Sequence, residues 1–142
     1  PYTTLFRSIT SLDISNFNTS NVEYMYYMFS GCESLINIKF DKNKFNTSKI
    51  ERMNGIFSDC IKLKQIDVSN FITNKVVSME NMFNRCESLN YIDVSNFDTS
   101  LVTNFDNMFS GCKSLKDINI KNFNTSSAIS MTTSTGRRPR QA

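Results

Sequence analysis

One phrase recurs five times along the chain. Phe17, Phe45, Phe71, Phe97 and Phe123 follow one another at steps of 28, 26, 26 and 26 residues, each inside nearly the same local sequence. Cys32, Cys60, Cys86 and Cys112 keep the same rhythm, at 28, 26 and 26. A period of roughly 20–50 residues means supersecondary units that bury their apolar faces only against their neighbours. That periodicity excludes most enzyme folds and leaves the ligand open.

Each copy carries two apolar rhythms. In the copy that begins at Cys86, Leu89, Ile92 and Val94 alternate in part with the polar Tyr91, Asp93 and Ser95, which is strand periodicity. Val102, Phe105, Met108, Phe109 and Cys112 recur at steps of three to four, which is helical periodicity. Between them, Phe97-Asp98-Thr99-Ser100 is rich in turn and capping residues. Ser20 with Glu23 and Ser48 with Glu51 fit a capping box. Gly31 and Gly111 stand just past the helical rhythm, where a left-handed residue is cheapest, with Asp59 and Arg85 there in the other copies.

These signals predict helices over 21–30, 49–58, 75–84 and 101–110, and strands over 11–15, 37–41, 65–69, 91–95 and 117–121. Strands joined through helices run parallel with right-handed crossovers. The expected fold class is therefore α/β: a leucine-rich-repeat-like right-handed solenoid, with a parallel sheet on one face and short helices on the other. Asp41-Lys42-Asn43-Lys44 holds two extra residues, expected to bulge at the corner after the second strand without shifting Ile38 and Phe40.

About five repeats of 26–28 residues span 9–131 as one expected unit. Residues 1–8 have the look of a translated sequencing adapter or other foreign segment. Residues 132–142 form a divergent basic tail, expected to be disordered or foreign. Because the chain opens in mid-repeat, it is expected to be a stretch of a longer array. Four of the 16 basic side chains, Arg7, Arg137, Arg138 and Arg140, lie in these flanks, and without them the formal charge of +3 disappears. The aromatics sit at core positions and are not interleaved with a basic patch, so nucleic-acid binding is not expected.

The inventory of reactive side chains is poor. The chain has no histidine, no phosphate-cradling glycine loop and no nucleophile elbow, so a non-catalytic protein without cofactor is expected. Four cysteines at equivalent positions would form a line of roughly 14 Å at about 4.8 Å per repeat, too long to share one zinc ion. Neighbouring thiols come near disulfide distance, yet parallel side chains lack the required dihedral, so one buried thiol per repeat is expected. The Met and Phe stripe of the helical stretches reads as core. Asn18, Asn46 and Asn124 begin N-x-S glycosylation patterns, at a corner where turn chemistry already accounts for Asn, Thr and Ser.

The outward strand positions form three columns: Asp13, Lys39, Asp67, Asp93 and Asn119; Ser15, Asp41, Ser69, Ser95 and Lys121; and Ser11, Asn37, Gln65, Tyr91 and Asp117. Lys39 is expected to lie between Asp13 and Asp67 in a favourable ladder. A solvated face accounts for these residues, and so does a docking surface. Asn37, Lys39, Gln65, Asp67, Tyr91, Asp93, Asp117 and Asn119 are its candidate partner-binding residues, with Tyr91 as the anchor.

The combination of M-F-x-x-C-x-S-L with S-N-F-x-T-S, clearest across 60–112 and traceable from 8 to 131, resembles the BspA-type leucine-rich-repeat surface proteins with DUF285-like repeats. Phe105 in place of Met, the insertion near Lys42 and the broken fifth helical stretch depart from that pattern. The resemblance implies an extracellular, cell-surface module for adhesion to host, matrix or other cell-surface proteins, with no catalytic residues. A structural spacer or stalk is the alternative, and an intracellular scaffold the third. No segment of this chain reads as membrane-inserting. Solenoids need polar terminal caps, so Ile9, Leu12 and Ile14 at one end and Ile118, Ile120 and Phe123 at the other are expected to drive self-association through uncapped ends.

Overall fold

The computed structural model describes residues 6–116 and 118–130. It overturns the expected fold class. None of the four predicted helices is present, and the regular elements lying wholly within these residues are two short strands, β1 (Ser11–Asp13) and β2 (Asn37–Lys39). They pair in parallel, Ser11 opposite Asn37, Leu12 opposite Ile38 and Asp13 opposite Lys39. Over 65–69 and 91–95 the expected strands reduce to a single parallel bridge between Gln65 and Tyr91. No strand forms over 118–121, and Asp117 lies outside the described residues. The two-stranded sheet is open, so the right-handed α/β solenoid with one sheet face and one helix face is not what these residues form.

The reason lies in where the amide groups of the helical-period stretches bond. Alternate amides leave their own repeat: Met53, Gly55, Phe57 and Asp59 donate to the carbonyls of Ser78, Glu80, Met82 and Asn84 at 2.8–3.0 Å. The amides of Met79, Asn81, Phe83 and Arg85 donate in the same way to Asn104, Asp106, Met108 and Ser110. The amides between them close tight local turns, as from Met82 to Met79, Asn84 to Asn81 and Cys86 to Phe83. An α-helix needs every interior amide for its own i−4 carbonyl, so this division excludes it. Single parallel bridges Arg52–Ser78, Ser78–Asn104 and Asn104–Ser130 mark the same seam.

Two left-handed residues per repeat make the alternation possible. One column is Gly31, Asp59, Arg85 and Gly111, with φ of 75°, 60°, 57° and 75°. The other is Tyr27, Gly55, Asn81 and Asn107, with φ of 56°, 58°, 56° and 53°. The first column stands where the sequence calls for helix C-caps, and its residues instead end a run of turns. The second falls inside every predicted helix and breaks it, since left-handed geometry strains non-glycine residues and is eased for Gly and Asn. At Gly55 the Tyr27 ring also occupies the space a Cβ would need.

The period-three-to-four apolar spacing is satisfied all the same. Met53, Ile56, Phe57 and Cys60, with Met79, Met82, Phe83 and Cys86, are wholly buried. Phe29, Phe57, Phe83 and Phe109 stack at centroid spacings of 5.4, 5.6 and 5.5 Å. A second file runs through Phe45, Phe71 and Phe97, at 5.7 and 6.5 Å, and Phe40 stacks on Phe45 at 4.8 Å. The repeat is thus a core of like side chains laid one behind another, and the burial of apolar area rather than regular secondary structure holds it.

The recurring phrase I-D-V-S-N-F-D-T-S acquires a bond for each polar letter. The first Asp accepts from the amide two residues on: Asp13 from Ser15, Asp67 from Ser69 and Asp93 from Ser95, at 2.9–3.0 Å. The Asn reaches back a repeat, as Asn70 Nδ2 does to the Phe45 carbonyl at 3.0 Å. The second Asp or Asn caps another turn, as Asp98 does for the Ser100 amide at 3.0 Å. The buried Thr reaches forward: Thr47 accepts from the Ile72 amide at 2.7 Å and donates to the Ile72 carbonyl at 2.9 Å. Thr19 binds Asn46 by the same two bonds.

Candidate partner-binding surface

The outward columns start from the pleat of β1 and β2. In both strands the middle residue, Leu12 or Ile38, packs on the core while its neighbours are exposed. Ser11, Asp13, Asn37 and Lys39 therefore face solvent, as alternation predicts.

The face does not continue evenly into the third repeat. Ile36 N–H donates to the Thr10 carbonyl at 2.8 Å, and Asn90 N–H donates to the Lys64 carbonyl at 3.1 Å, joining first to second and third to fourth copies. Among the described residues the corresponding bond between second and third, from Lys64 to Ile36, is not made. A shallow cleft of about 440 Å³ opens there, with Ile38, Ile66, Val68 and Ser69 in its lining. Five candidate residues, Asn37, Gln65, Asp67, Tyr91 and Asp93, complete the lining. Lys39 and Asn119 are exposed but stand apart from it, and Asp117 lies outside the described residues.

Tyr91 is 62% exposed, so its ring is free for a partner. The acidic candidates are already engaged. Asp67 meets Lys42 Nζ at 2.7 Å and the Ser69 amide at 3.0 Å. Its hydrogen bond with Lys42, with Ser69 adding, holds its carboxyl down to about 2. The Ser95 hydroxyl and amide likewise hold Asp93 below the usual carboxylate range. Asn119 accepts from the Lys121 amide at 3.2 Å.

The expected charge ladder needs correction. Lys39 pairs with Asp13 at 3.6 Å and not with Asp67. Lys42, from the two-residue insertion, takes Asp67 instead and also reaches Ser69 Oγ at 2.9 Å. The bulge after β2 thus supplies a cation to the next repeat. Its sequence signal was two lysines in the one corner that is longer than its counterparts.

Three of the four thiols are held in the protonated form, whereas the hydrogen bond with Cys60 lowers Cys32. All four cysteines are free. Cys60, Cys86 and Cys112 donate to the carbonyls of Phe29, Phe57 and Phe83, one repeat back, at 3.1–3.2 Å. The hydrogen bond between Cys60 and Cys32, together with burial, pushes the Cys60 thiol up; burial raises Cys86, and raises Cys112 to about 11. Thiols so placed stay protonated and are poor nucleophiles. Among the described residues no helix is long and apolar enough to cross a membrane.

A second feature was not anticipated. Tyr24, Tyr26 and Tyr27 are exposed at positions held by Arg52, Asn54 and Gly55 in the next copy, with Tyr24 and Tyr26 edge to face at 6.2 Å. The signal was a run of aromatics where the other copies are polar or small.

Comparison with curated proteins and with solved structures finds no match. A family model described as "Mycoplasma protein of unknown function, DUF285" matches residues 3–65 and again 36–138, which together take in all five copies of the repeat. The chain belongs to the DUF285 family.

Proposed function

We propose that this chain is a non-catalytic, cell-surface repeat module that binds a protein partner through the polar face around Tyr91. The supporting observation is the cleft between second and third copies, where an exposed aromatic stands beside apolar side chains and amide groups. An aromatic anchor over a partly apolar floor with a polar rim is the arrangement that concentrates binding energy at protein interfaces. Resemblance to BspA-type leucine-rich-repeat proteins supports the extracellular setting and a host, matrix or cell-surface protein as partner.

The spacer alternative has an observation of its own: Asp67, Asp93 and Asn119 hold turns of the fold itself. Reversing the charge of Asp67 and Asp93 would therefore perturb folding together with binding. Tyr91→Arg is the cleaner probe. In a pull-down of the surface partner from host-cell or matrix extract, followed by titration, the variant should bind about tenfold more weakly or worse. Equal affinity with an unchanged melt would contradict binding at this face and favour the spacer.

A further inference from the structure

We propose that the cleft beside Tyr91 takes an arginine side chain of the partner protein, its guanidinium stacked on the Tyr91 ring and paired with the Asp93 carboxylate. The inference rests on the reading of this face as the binding surface, and it names the chemistry that the face selects. Charge singles out Asp93. The two other aspartates of its outward column each have a cation: Asp13 meets Lys39 at 3.6 Å and Asp67 meets Lys42 at 2.7 Å. Among the described residues no lysine or arginine comes within ion-pair range of Asp93. Its Oδ1 accepts from the Ser95 amide at 2.9 Å, and a carboxylate has room for further donors. The bonds to Ser95 also keep it ionised. With Asp67 matched by Lys42, the lining of the cleft carries one anion without a counter-ion among the described residues.

Position adds the ring. From Tyr91 to Ser95 exposure alternates, with Tyr91, Asp93 and Ser95 outward and Ile92 and Val94 buried. Tyr91 and Asp93 therefore share one face, about 6–7 Å apart along an extended chain. A guanidinium can lie flat on an aromatic ring while its N–H fork reaches a neighbouring carboxylate, whereas an ammonium offers only a point charge. Gln65, bridged to Tyr91 from the preceding copy, has an amide oxygen for a further N–H. Ile66 and Val68, also in the lining, suit the methylene stem of an arginine. An acidic side chain entering here would meet repulsion from Asp93.

Nuclear magnetic resonance titration of the purified chain with a blocked Gly-Ser peptide carrying a single arginine tests the inference. The same peptide with lysine, citrulline or glutamate in that place is the control. The arginine peptide should shift the Tyr91, Asp93 and Gln65 signals saturably; lysine should bind about threefold more weakly, and citrulline and glutamate should shift nothing. Asp93→Asn keeps the turn, as Asn119 shows by accepting from the Lys121 amide in the next copy. It should weaken the arginine peptide about three- to fivefold, and Tyr91→Leu by a similar factor. Arginine no tighter than citrulline, shifts centred elsewhere, or affinity indifferent to Asp93→Asn would overturn the inference. The two readings fail separately: partner capture weakened by Tyr91→Arg beside any of those results keeps the surface and removes the arginine, whereas capture untouched by Tyr91→Arg removes the surface itself.

Discussion

The seam side and the polar face of the same repeats are built to opposite standards. Along the seam, from Met53 to Cys60 and from Met79 to Cys86, nearly every apolar side chain is buried and alternate amides cross to the next copy. On the polar face, cross-repeat pairing is intact between β1 and β2, lapses at the third copy and returns as one bridge. The difference shows that like-on-like packing of the core, not strand pairing, sets the register. The face is consequently free to open where the insertion falls, and the candidate binding surface sits in that opening.

The largest expected effect is in the seam. Phe83 is fully buried between Phe57 and Phe109, so Phe83→Ala should cost about 3–5 kcal/mol. Phe17, the first member of the other phenylalanine series, is 52% exposed, and Phe17→Ala should stay within about 0.5 kcal/mol. Urea melts of the two variants would break the comparison if their costs were alike.

Next comes the corner that links seam and face. Thr47→Val keeps the shape and removes both bonds to Ile72, leaving a buried amide and carbonyl short of partners. A loss of about 1–3 kcal/mol is expected by the same melts. Within the Asn46 glycosylation pattern, Asn46 accepts from the Ser48 amide at 2.8 Å and the intervening Thr47 is buried, so turn and core chemistry account for all three residues.

The smallest effect belongs to the face. Lys42→Ala should let the Asp67 carboxyl rise from about 2 toward its ordinary range. Because the folded carboxyl titrates below the unfolded one, its contribution is present above pH of about 4 and fades as pH falls toward 2. Both partners are more than half exposed, so solvent screening keeps the change within about 1 kcal/mol. A carbon-detected titration of Asp67 in both proteins reads the shift directly; an unmoved carboxyl would remove Lys42 from the face.

Much of the molecule was legible in the residues. The period, the burial of most of the Met, Phe and Cys side chains, the outward columns and the turn at the Asn-Thr-Ser corner follow from spacing and side-chain chemistry. Met28 of the apolar stripe is exposed, however, and the outward aspartates cap turns of their own. The helices did not survive, because apolar steps of three to four are met equally by successive turns whose alternate amides bond the next copy. Periodicity reports which side chains are buried and is silent on which carbonyl an amide chooses. Gly55, Asn81 and Asn107 carried the missing signal: a residue tolerant of left-handed geometry stands in the middle of three of the four expected helices, with Tyr27 in the first. On the face, Asn37, Gln65, Asp67, Tyr91 and Asp93 do line one cleft, whereas the role of Lys42 depended on a bulge whose direction no local rule supplies.

Through-hydrogen-bond couplings in a nuclear magnetic resonance experiment reach the central claim most directly. The amides of Phe57 and Phe83 should couple to the carbonyls of Met82 and Met108, one repeat onward. Coupling of those amides to Met53 and Met79, four residues back, would restore the helices and contradict the seam.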